Sequence, residues 1–308
     1  MRSILILFIF LINFFLCYGQ SANDSAVQFG KNYITLKEVV VDTKLNVPAF
    51  IQKVKTDTSF YKAFKNLRIL GYSAINDIRM LNKSGGLSAS LHSKTKQETS
   101  NGCRSMKVLE EQTSGDMYDK NLNFNYYTAQ LYASLFFTKG NVCGETNIVG
   151  INEFSLSDKS GIEKHKEQLK MLFFNPGKRI AGLPFMSNKT ALFDDDVAEN
   201  YDMEIDMDVF NGNSCYVFRQ KVKQGREDNV IVDEMTTWFN DSAFDVVARN
   251  YSLAYNAGVY DFKVNMEVQM TKYNGFTVPN LIRYNGDWKL LFKKRERGVF
   301  TATLSNFE

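Results

Sequence analysis

The sequence predicts an α+β fold in which one large antiparallel β-sheet carries two helices over a single face. Three observations predict it. In residues 260–271, Tyr260, Phe262, Val264, Met266, Val268 and Met270 alternate with Asp261, Lys263, Asn265, Glu267, Gln269 and Thr271, and a period of two marks a long strand with one apolar face. From Gly182 to the C-terminus strand signals outweigh helix signals, with Asn211-Gly212, Asn274-Gly275 and Asn285-Gly286 as turn markers. Apolar residues recur at helical spacing in two segments, 46–67 and 160–174.

In chain order, residues 1–19 have the layout of a secretory signal: Arg2, an apolar run from Ile4 to Ile12, then Phe14, Phe15 and Leu16. The run is short for a bilayer span, and cleavage after Cys17-Tyr18-Gly19 would leave Gln20 first. A lipid-modified Cys17 and an uncleaved anchor are the alternatives, and Leu16 in front of the cysteine counts against the former. Residues 20–32 are polar and small, a flexible lead-in to a single domain over 33–308. A strand is expected over residues 34–41.

Asn46 caps a helix with Pro48 in its first turn and Phe50, Ile51, Val54, Tyr61, Phe64 and Leu67 along one face. Residues 72–81 and 87–96 read as a hairpin around Lys83-Ser84-Gly85-Gly86. Residues 123–138, rich in Tyr and Phe, read mainly as strand. Ser160 and Glu163 have capping-box spacing, and the stripe Ile162, Leu169, Leu172, Phe173 stops at Asn175-Pro176-Gly177. No linker or internal repeat divides the chain.

The chemistry is sparse. Without residues 1–19 the chain has 36 Lys and Arg against 34 Asp and Glu, a net +2 too even to argue for nucleic acid. The two histidines, His92 and His165, stand among polar neighbours as surface residues. Nucleophile elbow, zinc-protease, phosphate-loop and dinucleotide motifs are absent from the sequence, so neither catalytic residues nor a cofactor is expected. Asp202, Glu204, Asp206 and Asp208 alternate with Met203, Ile205, Met207 and Val209, the polar face of a strand; a cation site would be confined to Asp194-Asp195-Asp196. The aromatic and basic run from Trp288 to Arg297 reads as an edge strand protected by charge.

Cys103, Cys143 and Cys215 remain after the signal. In an oxidising compartment Cys103 and Cys143, both beside glycine in turn-like surroundings, are the favoured pair, against the alternative of three reduced thiols. Methionine packs adaptably, so Met203, Ile205, Met207, Tyr260, Phe262, Val264, Met266, Val268 and Met270 form either a ligand-binding face or plain core.

From about Gly182 to Phe307 the chain resembles the LolA/LolB-like superfamily of envelope lipoprotein and lipid carriers. The resemblance rests on Asn213-Ser214-Cys215-Tyr216-Val217-Phe218, on Thr237-Trp238-Phe239-Asn240 ending a strand, on the amphipathic strand, and on Asn274-Gly275-Phe276-Thr277-Val278-Pro279. It implies a curved, unclosed half-barrel with helices as a lid over an apolar cavity. It also implies a non-enzymatic protein of the Gram-negative periplasm or outer-membrane periphery, not integral to the membrane, that binds a lipid or lipoprotein acyl chain and meets an envelope protein partner. The alternative is a structural or interaction protein of the envelope with no ligand.

Overall fold

The computed structural model describes residues 24–43, 45–149, 171–180, 186, 188–257, 260–290 and 294–308. The expected signal, residues 1–19, lies outside these, as does the capping box at Ser160 and Glu163. Thirteen strands form one sheet: β1 (Ser25–Phe29), β2 (Asn32–Leu36), β3 (Tyr72–Leu81), β4 (Leu87–Ser100), β5 (Cys103–Gly115), β6 (Asn141–Cys143), β7 (Tyr201–Phe210), β8 (Asn213–Val222), β9 (Val232–Asn240), β10 (Val246–Ala257), β11 (Tyr260–Tyr273), β12 (Phe276–Leu290) and β13 (Glu296–Ser305). Their order is β1-β2-β7-β8-β9-β10-β11-β12-β13-β3-β4-β5-β6, so the curved sheet is unclosed, with β1 and β6 at its ends. Neighbours are antiparallel except β2 and β7. The helices are α1 (Glu38–Asp42), α2 (Val47–Thr56), α3 (Ser59–Asn66), α4 (Tyr127–Phe136) and α5 (Asp195–Ala198), and residues 171–174 are also helical.

Two turn markers act as the sequence predicts. Asn211 (φ 48°) with Gly212 (φ 78°), and Asn274 (φ 46°) with Gly275 (φ 80°), take the left-handed pairs that match strand twist in the β7–β8 and β11–β12 hairpins. Asn285-Gly286 is different, because it lies inside β12 opposite Val299 and Gly298 of β13. Gly286 leaves room for a ring: a Cβ there would sit 1.9 Å from Tyr284 Oη.

Other expectations fail for tertiary reasons. The strand over 34–41 ends at Leu36, where Lys37 N–H donates to Ile205 O at 3.0 Å, and Val39 to Val41 then turn into α1 with only Val40 buried. Part of the flexible lead-in is β1, paired with β2. Residues 127–136 are helix and not strand, because Thr128, Leu131, Tyr132 and Phe136 bury one face while β13 caps the helix from outside. The basic run near Arg297 is not an edge: β13 lies between β12 and β3, and Asp287 pairs with Arg297 at 2.9 Å. Pro279 is tolerated in β12 because pairing to β13 begins only at Leu281.

One face of the sheet is covered. Phe50 of α2 packs edge-on against Phe218 and Phe239, Phe60 of α3 against Tyr251, Tyr132 of α4 against Phe300, and Phe173 against Tyr284 and Trp288. The opposite face carries the acidic stripe of β7, where Arg219 bridges Glu204 and Asp206 at 2.9 and 2.8 Å. No helix among the described residues is long and apolar enough to cross a membrane.

Candidate functional site

The residues predicted to form a ligand face share one sheet and one continuous hydrophobic core, but the two sets are not neighbours within it. Three strands separate β7 from β11, so Met203, Ile205 and Met207 lie about 19 Å from the β11 set measured along the curved sheet at ordinary strand spacing. Met203, Ile205, Phe262, Val264, Met266, Val268 and Met270 are buried, Met207 is half-buried, and the Tyr260 side chain lies outside the described residues. Helices seal this face along most of its length.

Space is found further along the covered face. A cavity of about 320 Å³ opens between α3, α4 and residues 171–174, with Tyr61, Phe64, Leu135, Phe136, Met171 and Phe174 as its apolar wall. Lys65, Arg68, Arg104 and Glu145 supply a charged rim. Leu135, Phe136 and Phe174 also line a second, apolar slot between α4 and the sheet, whose far wall includes Met266, Tyr284 and Phe300. The slot holds only about 10 Å³, room for one water at most, so it is closed to anything larger. Phe136 and Phe174 stand where the two spaces meet, their ring centroids 6.1 Å apart at 89°. Of the predicted face, only Met266 reaches either space.

The rim is a tight network. Arg104 Nε–H donates to Glu145 Oε2 at 2.6 Å, and its Nη1 donates to Gln97 Oε1 at 3.0 Å and to the Thr138 hydroxyl. Gln97 is buried and donates to Leu67 O and Leu70 O at 2.6 and 2.7 Å, tying the end of α3 to β4. Arg68 approaches Glu145 at 3.6 Å. Below them the Tyr72 hydroxyl is held neutral, its pKa pushed up to about 12 by burial.

The disulfide arranges this rim. Cys103 and Cys143 are cross-strand partners on β5 and β6 with an S–S distance of 2.03 Å, which holds the chain after α4 on β5 and sets Glu145 beside Arg104. Cys215 is free and buried, and burial raises its thiol pKa. The sequence offered no sign of Arg104, Gln97 or Glu145, whose roles depend on a contact across 41 residues.

Neither histidine is among the described residues that line the cavity. His92 is exposed on β4, 3.8 Å from Asp77, and His165 lies outside the described residues. No group of three or more metal-ligating side chains gathers among the described residues. Asp194 instead pairs with Arg179, and Asp195 and Asp196 start α5.

No protein-family model and no curated protein matches the chain. Solved structures similar to it share 12% identity or less. A DUF1329 family protein from Desulfovibrio piger is 12% identical, covering 84% of this chain and 89% of its own, with a TM-score of 0.27. A putative outer membrane lipoprotein-sorting protein domain from Vibrio parahaemolyticus is 11% identical, covering 81% and 91%, with a TM-score of 0.27. A LolA superfamily protein from Nitrosomonas europaea is 10% identical, covering 82% and 91%, with a TM-score of 0.24.

Proposed function

We propose that this chain is a non-enzymatic, exported envelope protein that binds the acyl chain of a lipid or lipoprotein. The cavity between α3 and α4 is the mouth, and the slot beneath α4 receives the chain when Phe136 and Phe174 rotate. The observation that carries this reading is the continuity of an amphipathic cavity with a closed apolar slot through two shared aromatic rings. A volume of about 320 Å³ falls at the small end of ligand pockets, roughly 300–1,000 Å³. Arg68 at the mouth, its side chain 42% exposed, suits a polar head, and the methionine and aromatic wall suits a chain without fixed shape. Met203, Ile205, Met207, Phe262, Val264, Val268 and Met270 then shape the interior without touching the ligand. Export rests on the signal-like residues 1–19, and the expected partner is an envelope protein that supplies or receives the chain.

A second reading is favoured by the burial of Phe262, Val264 and Val268: the face is core, and the protein is a structural or interaction factor of the envelope. Titration with a fluorescent fatty acid separates the two. Saturable binding that Met266→Glu abolishes in a folded protein supports the acyl reading, and no binding supports the second.

A further inference from the structure

On the helix-covered face, away from the cavity, β10 buries a cation. Arg249 is only 6% exposed. Its Nε–H donates to Thr237 Oγ1 at 2.9 Å, and its guanidinium lies over the ring of Phe60 with Cζ 4.4 Å from the centroid. Its two Nη groups have no hydrogen-bond partner among the described residues. A buried guanidinium ordinarily meets a carboxylate, since the cost of desolvation is several kcal/mol unless a counter-charge is close. Among the described residues the carboxylate whose field it feels is Asp57, at the end of α2.

A second cation shares that acid. Lys178, half-buried, donates through Nζ to Lys55 O and lies within the fields of Asp57, Arg249 and Lys55. Among the described residues, Arg249, Lys178 and Lys55 against Asp57 leave a local charge of +2. Asp57 also accepts the Ser59 N–H at 3.1 Å, as α3 begins, and the buried Ser59 Oγ has no partner. Burial pulls both Arg249 and Lys178 below their ordinary pKa values, and the field of Asp57 offsets this only in part.

We propose that Arg249, Lys178 and Ser59 form a phosphate-binding site between the α2–α3 junction and β10. A phosphate monoester is a dianion near pH 7 and matches the local charge, and a guanidinium offers paired N–H donors to its oxygens. The site does not rest on the acyl reading. Its source is either free phosphate or the headgroup of a phospholipid.

The test uses the full chain with its disulfide intact. Inorganic phosphate at ~100-fold above its Kd raises Tm by about 5 °C, and a parallel arm measures binding to phosphatidylcholine vesicles with and without phosphatidic acid. A response to inorganic phosphate alone assigns free phosphate, and one to phosphatidic acid, with or without the other, assigns the lipid headgroup. Either is lost in Arg249→Met and in Lys178→Met. No response in either arm, or an undiminished response in Arg249→Met, overturns the site. If Arg249→Met does not fold, an undiminished response in Lys178→Met overturns it equally.

Discussion

Glu296 on β13 accepts hydrogen bonds from both the backbone N–H and the hydroxyl of Thr128, at 2.7 and 2.8 Å, and its other oxygen takes the Tyr127 N–H at 2.9 Å. The first orphan donors of α4 are therefore capped by a residue 168 positions away. Tyr132 adds a second tie, its hydroxyl donating to buried Asn76 Oδ1 at 2.7 Å. Helix α4, which roofs the apolar slot, is fastened to the sheet rather than laid on it.

Replacing Glu296 by Ala removes that cap and the hydrogen bonds it accepts from Tyr127 and Thr128. A loss of about 1–2 kcal/mol is expected. Urea unfolding measures it, and amide exchange should accelerate first in α4.

Gly286→Ala should be costly for a steric reason alone. The added Cβ meets Tyr284 Oη at 1.9 Å, so the ring must leave its stack on Phe300, now 4.3 Å away at 2°, and its hydrogen bond from Trp288 Nε1–H. About 1–3 kcal/mol is expected. Most of it should disappear when the substitution is made in a Tyr284→Ala background, as a double-mutant cycle would show.

How much of this was legible in advance divides along one line. Strands and hairpins with a strict period of two, such as Tyr72–Leu81 and Tyr260–Tyr273, were readable because burial of one face is written in the alternation itself. Helix α4 was not, since its cap comes from Glu296 and its local sequence has no capping side chain. Asn285-Gly286 misled because a glycine that makes room for a neighbour's ring looks the same as one that makes a turn. The predicted ligand face was right about which residues are apolar and silent about the order of strands, which sets β7 four positions from β11. The charged rim was invisible because Arg104, Gln97 and Glu145 meet only after β5 and β6 pair.

The Cys103–Cys143 bridge closes a loop of 40 residues, which on chain-entropy grounds contributes about 4 kcal/mol. Cys103→Ser with Cys143→Ser should lower Tm accordingly and loosen the Arg104–Glu145 pair. A chain beginning at Gln20, denatured without reductant, should show one reactive thiol, from Cys215. Three would contradict the bridge.

Alkaline pH should destabilise the fold through its buried tyrosines. Burial raises Tyr72 to about 12, so the folded state keeps a proton that the unfolded chain releases near 10. That stability is complete below pH ~10 and is lost as pH rises toward 12, at about 1.4 kcal/mol per pH unit for each such tyrosine. Urea midpoints across this range should fall less steeply in Tyr72→Phe.

The acyl reading makes Phe136 and Phe174 a gate, so Phe136→Ala should open the slot and speed uptake of a fluorescent fatty acid without a large change in affinity. Its central claim is tested most directly by mass spectrometry of organic extracts from protein purified out of the envelope. The account predicts about one acyl-bearing lipid per chain, absent from Met266→Glu protein that retains its sheet. An extract free of lipid, from protein that also fails to bind the fluorescent fatty acid, would contradict it.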